Sequence, residues 1–230
     1  GRSGHTVLSG ALGSRMDVKL SEEQKYISKW RRGYSKEQIL AEHMASGAGR
    51  TRRQQGWPNL TEFTDLLVIG DKAGWDAVNE FNKRDASATV INEFSAFMDM
   101  PVKTIVTVRH PLDNVTAWVD SEKYKRVFSD DKLRFRRMIR RYKRFYTAAV
   151  TILQGTDYFV VTHEEFCNNP NNMLQRLSDW LELPSNRDWR REAGARINPS
   201  PHQRRNDVKW PDGYFEERLV PFIRENPLME

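Results

Sequence analysis

The stretch Val102-Lys103-Thr104-Ile105-Val106-Thr107-Val108-Arg109-His110-Pro111 decides the fold of this chain. Its β-branched residues predict a strand, and Pro111 suits the first turn of a following helix, which we expect to reach Tyr124. Two further apolar runs, at residues 66–69 and 158–161, are also predicted strands. Helical patterns occur between and after them, at residues 21–45 with a break near Gly33, 75–83, 89–100, 132–153 and 171–183. The alternation predicts an α/β fold, a parallel sheet flanked by helices in three layers.

Composition favours one globular domain over residues 1–230 with an anionic partner. The 230 residues carry a formal net charge of +6, and 38% of them are hydrophobic. Cys167 is the single cysteine, which rules out a disulfide framework and a multi-cysteine zinc site and favours a reducing compartment. No stretch approaches the roughly 18 apolar residues of a membrane span. We therefore expect a cytoplasmic protein that needs no metal.

The first residues, Gly1-Arg2-Ser3-Gly4-His5-Thr6, form a turn rich in glycine and hydroxyl groups that leads into an apolar helix. Backbone N–H groups, hydroxyls and an arginine at the start of a helix suit a phosphate group. Such a turn normally follows a strand, so we expect the first strand to be missing from the chain and the domain to be incomplete at its amino end. No Lys-Ser or Lys-Thr pair follows the second glycine, which disfavours a P-loop kinase or ATPase.

Two of the loops expected at the carboxyl ends of strands resemble the donor site of one enzyme family. The amino-terminal turn and Val7 resemble the 5′-phosphosulfate loop of sulfotransferases that use 3′-phosphoadenosine 5′-phosphosulfate. The segment from Val106 to Asp113 is similar to a segment of the family in which an arginine follows a strand and binds the 3′-phosphate of the donor. The resemblance implies that Arg109 binds this phosphate. The family's serine, eight residues later, is Ala117 here, and Thr116 is the nearest hydroxyl.

A third loop, Ile69-Gly70-Asp71-Lys72, resembles the Glu-Lys pair of carbohydrate sulfotransferases. The resemblance implies that Asp71 is the general base, with Lys72 and Arg2 holding the charge that develops on the sulfuryl group. Proton removal and charge stabilisation are what sulfuryl transfer requires of a site. His5 and His110 are alternative bases, because an imidazole titrates near pH ~6.5.

The resemblance extends to the carboxyl-terminal region and so covers nearly the whole chain. Arg204 and Arg205, with Lys209 as a weaker contact, are similar to the basic loop that closes over the donor's phosphates. The family implies a P-loop-like sulfotransferase fold and transfer from 3′-phosphoadenosine 5′-phosphosulfate to a hydroxyl or amine of a small-molecule or carbohydrate acceptor. The product is 3′-phosphoadenosine 5′-phosphate. The alternatives are a P-loop kinase and a module that binds RNA or another polyanion through helix 132–153, whose aromatic stripe we expect to be core.

Overall fold

The computed structural model describes residues 4–46, 56–57, 62–63, 65–72, 89–121, 130–199, 203–206 and 209–229. Four strands are present in this part of the chain, namely β1 Val18–Glu22, β2 Val68–Lys72, β3 Thr104–Val108 and β4 Tyr158–Thr162. The helices are α1 His5–Leu12, α2 Tyr26–Trp30, α3 Lys36–Ala45, α4 Val90–Met98, α5 Pro111–Val119, α6 Asp131–Leu153, α7 His163–Asn168, α8 Pro170–Trp180, α9 Arg187–Ala195, α10 Tyr214–Arg218 and α11 Val220–Glu225, with a 3₁₀ turn at Arg204–Asn206.

The strands form two parallel pairs. β1 lies beside β2 with Val18 opposite Val68, and β3 lies beside β4 with Thr104 opposite Tyr158. Both pairs contribute to one hydrophobic core, which also includes α1 and α8. Parallel strands connected through helices confirm the predicted α/β class.

Several predicted boundaries were wrong, and two of these differences matter for the site. Residues 21 and 22 were expected in a helix but end β1, because the alternation of Val18, Lys19 and Leu20 places every second side chain in the core. β2 begins at Val68 and continues past Gly70. Asp71 and Lys72 are therefore strand residues with opposed side chains and do not form a loop. The helix break near Gly33 is confirmed, and the predicted helix at 75–83 lies outside the described residues.

The long helix α6 supplies a second core with its aromatic residues. Phe135, Tyr142 and Tyr146 are each at most 1% exposed and pack with α5 and with the carboxyl-terminal helices. The aromatic stripe is thus core, as its spacing predicts. Within the described ranges, no helix combines the length and apolar character that a membrane span requires.

Candidate functional site

Helix α1 begins with an open amino terminus. Gly4 precedes it in the left-handed region, with φ 90°, and provides no side-chain cap. Among the described residues, the first-turn N–H groups of His5, Thr6 and Val7 therefore receive no side-chain cap, and helix ends of this kind bind anions. Three predicted donor-site residues, Gly1, Arg2 and Ser3, lie outside the described residues.

The amino terminus of α1 lies between the carboxyl ends of the two strand pairs. On one side, a Cβ on Gly4 would come within 2.4 Å of Nδ1 of His163, the residue that follows β4. On the other side, burial as the largest cause, with a smaller contribution from the positive charge of Lys72 at the end of β2, lowers the pKa of His5 to about 3. His5 is consequently neutral at physiological pH and is a weak proton acceptor. The start of α1 therefore lies near residues at the ends of both strand pairs.

Arg109 lies at the same edge, directly after β3. Its side chain is largely buried, and its charge, together with burial as the larger cause, lowers the pKa of His163. Since His163 contacts the Gly4 turn, Arg109 and the start of α1 belong to one region. Arg2, which the sequence pairs with Arg109 around one donor, lies outside the described residues, so their shared cleft stays a prediction.

Thr116 and Arg205 are two further residues that the sequence predicts to contact the donor. Thr116 is 0% exposed, and its Oγ1 has no hydrogen-bond partner among the described residues. The backbone N–H of Arg205 donates to Oδ1 of Asp113 at 2.7 Å, and its Nε lies 3.8 Å from the same oxygen. Asp113 thus fixes the 203–206 turn to α5, while the side chain of Arg204 is outside what the structure describes and Lys209 is exposed.

His110 occupies the amino end of α5. Its backbone N–H donates to Oε1 of Glu164 at 2.9 Å, and Pro111 follows it in the first turn of the helix. Burial, with a further contribution from the charge of Arg205, lowers the pKa of His110. The shift favours the neutral ring, as it does at His5.

Asp71 accepts three hydrogen bonds from the β1–α2 region. Ser21 Oγ donates to Oδ1 at 3.0 Å, the Gln24 N–H donates to the same oxygen at 3.1 Å, and the Lys25 N–H donates to Oδ2 at 2.9 Å. Burial nevertheless raises the pKa of Asp71, because desolvation outweighs these hydrogen bonds. The carboxylate holds a turn in which Glu23 and Lys25 both have positive φ.

Lys72 has a different carboxylate beside it. Its Nζ lies 3.6 Å from Oε1 of Glu22, the residue opposite it in the register, and both side chains are about one-tenth exposed. Sequence reasoning missed Glu22 because residues 21–45 were assigned to a helix. The signal was the alternation of Val18, Leu20 and Glu22 on one face of a short strand.

The structure has known counterparts. Comparisons of the sequence with protein-family models and with curated proteins return no match. Among solved structures, the chain is similar to a sulfotransferase domain from the curacin biosynthetic pathway, with a TM-score of 0.52 and 15% identity over 94% of this chain and 82% of that one. The chain has the sulfotransferase fold. A sulfotransferase domain from the olefin synthase of Synechococcus PCC 7002 also matches, with a TM-score of 0.47 and 15% identity over 94% of this chain and 79% of that one.

The candidate site lies at the carboxyl ends of the strands. The open end of α1, the buried Arg109 and the Lys72 side chain all lie where β2, β3 and β4 end, which is where ligands bind in open α/β sheets. Within the described ranges, no group of three or more histidine, cysteine, aspartate or glutamate side chains is arranged to hold a metal ion.

Proposed function

We propose that this chain transfers a sulfuryl group from 3′-phosphoadenosine 5′-phosphosulfate to a hydroxyl or amine of an acceptor. The observation that carries the proposal is the meeting of the open α1 terminus and Arg109 at one edge of a sulfotransferase fold. A donor with phosphates at both its 5′ and 3′ positions needs two separate anion sites that face a common cleft. The sequence supplies one at each of these two elements.

The residues suit such a donor. The N–H groups at the start of α1 would hold the 5′-phosphosulfate end, as helix termini hold phosphates. Arg109 would pair with the 3′-phosphate through its guanidinium fork. Thr116, on helix α5 that follows Arg109, is buried with a hydroxyl that lacks a partner among the described residues, and a phosphate oxygen would supply one. Arg205, tied to α5 by Asp113, would close the same end.

The two alternative functions fit less well. A P-loop kinase needs a lysine and a hydroxyl residue after the loop glycine, and here His5 follows Gly4. An RNA-binding module on α6 needs exposed aromatic rings for stacking, and Phe135, Tyr142 and Tyr146 are buried. The exposed cations of α6 retain a general affinity for polyanions but provide no base recognition.

Calorimetry with 3′-phosphoadenosine 5′-phosphate, ATP and a single-stranded RNA tests the proposal. We expect the bisphosphate alone to bind tightly. Arg109→Ala should weaken the binding of the bisphosphate by about 10- to 100-fold, because a charge-assisted hydrogen bond contributes about 1.5–3 kcal/mol. Arg187→Ala, on the exposed start of α9, is the matched control and should bind as the wild type does. Binding of RNA without the bisphosphate would reject the proposal.

The acceptor requires a second experiment. A panel of alcohols, phenols, amines and saccharides incubated with radiolabelled sulfuryl donor should yield one labelled class. The absence of bisphosphate binding, together with the absence of any labelled product, would remove the enzyme hypothesis.

A further inference from the structure

Asp71 and Lys72 point to opposite faces of the β1–β2 pair, because successive strand residues alternate. The core identifies each face. Val18, Leu20 and Val68 pack against Leu8 and Leu12 of α1, so this face, which alternation continues through Gly70 to Lys72 and through Leu20 to Glu22, is the α1 face.

The other face belongs to α2 and α3. Lys19 and Ser21 lie on it, and the Lys19 carbonyl and ammonium contact His43 Nε2 and the Ser46 carbonyl at 3.2 and 3.0 Å. Asp71 joins this face through its hydrogen bond from Ser21. Its carboxylate is therefore directed away from the α1 terminus, where the donor is proposed to bind.

The α1 face carries Glu22 instead. Glu22 and Lys72 end their strands in register, with Oε1 and Nζ 3.6 Å apart, and Lys72 acts on His5 in the first turn of α1. A carboxylate and an ammonium thus stand together beside the helix terminus. This is the placement that a proton acceptor and a charge-stabilising cation need around one reacting centre.

We propose that Glu22 is the general base of the site and that Asp71 is a positioning residue that holds the β1–α2 turn. The inference rests on the proposed function. As the acceptor oxygen or nitrogen bonds to sulfur, its proton passes to a Glu22 carboxylate oxygen. The bond between sulfur and the bridging phosphate oxygen breaks, and its electron pair stays on that oxygen, whose negative charge Lys72 stabilises. The proton then leaves Glu22 for solvent, which restores the carboxylate.

Binding and stability distinguish the two carboxylates without reference to turnover. Glu22→Gln removes a negative charge from the donor side, so 3′-phosphoadenosine 5′-phosphate should bind at least twofold more tightly than to wild type. Asp71→Asn should leave this affinity unchanged and lower Tm by about 2–4 °C, because the Asn amide nitrogen cannot accept from the Lys25 N–H. Glu23 is exposed and follows Glu22 in the chain, so Glu23→Gln is the matched control. It should change neither the affinity for the bisphosphate nor Tm.

Turnover gives the second readout, measured as release of 3′-phosphoadenosine 5′-phosphate with the acceptor from the panel. Glu22→Gln should lower kcat by about 100-fold or more and abolish the fall of kcat at acid pH. Glu22→Asp, which keeps the charge but shortens the side chain, should retain that fall at reduced kcat, and it replaces the glutamine variant if the latter does not fold.

Two results would overturn the assignment. One is a Glu22→Gln enzyme with wild-type kcat and bisphosphate affinity, or full activity of Glu22→Asp where only that variant folds. The other is an Asp71→Asn enzyme with unchanged Tm that loses turnover 100-fold. A wild-type protein that fails to bind the bisphosphate contradicts the proposed function itself, which is a distinct outcome.

Discussion

His43 should make the stability of this protein depend on pH. The ring is 2% exposed, with Nε2 3.2 Å from the Lys19 carbonyl and Nδ1 3.0 Å from the Tyr26 hydroxyl. Because a carbonyl only accepts, Nε2 carries the proton in the neutral ring and Nδ1 accepts from Tyr26. Burial, opposed in part by the hydrogen bond to Lys19, lowers the pKa of His43 to about 4.

The sign and size of the effect follow from linkage. Between pH 4 and pH 6.5 the unfolded chain binds a proton at His43 that the folded chain excludes, so stability falls as pH falls. With pKa values of about 6.5 unfolded and about 4 folded, acidification from pH 7 to pH 5 costs about 2 kcal/mol from this residue.

Urea unfolding of the wild type and of His43→Gln at pH 5, 6 and 7 measures this cost. Glutamine can donate to Lys19 and accept from Tyr26 but does not titrate in this range. His5 is present in both proteins, so its contribution to the pH dependence cancels in the difference between their unfolding free energies. We expect the stability advantage of the wild type over the variant to shrink by about 2 kcal/mol from pH 7 to pH 5. Parallel curves would refute the reasoning.

Three further predictions concern the donor site. Thr116→Val should weaken the binding of 3′-phosphoadenosine 5′-phosphate by about fivefold or more without lowering Tm, since the Thr116 hydroxyl has no partner in the described structure. A loss of Tm that accompanies the loss of binding would contradict this. Gly4→Ala should cost more unfolding free energy in urea than Gly33→Ala. Both have φ 90°, which costs roughly 1–2 kcal/mol, but only Gly4 also crowds His163; equal losses would exclude crowding. Asp113→Ala should speed hydrogen exchange of the Arg205 amide about 10-fold or more, whereas an unchanged rate would show that Asp113 does not hold the turn.

The sequence was sufficient for the elements whose pattern is local. β3 and the first helical turn at Pro111 follow from β-branched residues and a proline, and the aromatic spacing of α6 correctly identified its buried side. The expected positions of the loops at the strand ends also predict that Arg109 lies near the amino-terminal turn. These inferences needed only the period of the side chains and the rule that parallel strands end at one edge.

The faces of the strands could not be read in the same way. Asp71 and Lys72 are neighbours in sequence, and treating them as loop residues allowed both to reach one ligand. The extension of β2 through Lys72 separates them, and the pairing of β2 with β1, a contact between residues 50 positions apart, brings Glu22 to Lys72. Alternation within β1 indicates the face on which Glu22 lies, but its pairing with Lys72 cannot be inferred from spacing, because it depends on the register between strands far apart in the chain.

Cys167 offers a built-in reporter on this region. The thiol is buried, its Sγ lies 3.8 Å from Nδ1 of His163 beneath the Gly4 turn, and burial raises its pKa. A thiol in this state reacts only when its surroundings open. Since the chain has one cysteine, the rate of its alkylation under native conditions reports how often this region opens. A ligand that closes the cleft would lower this rate.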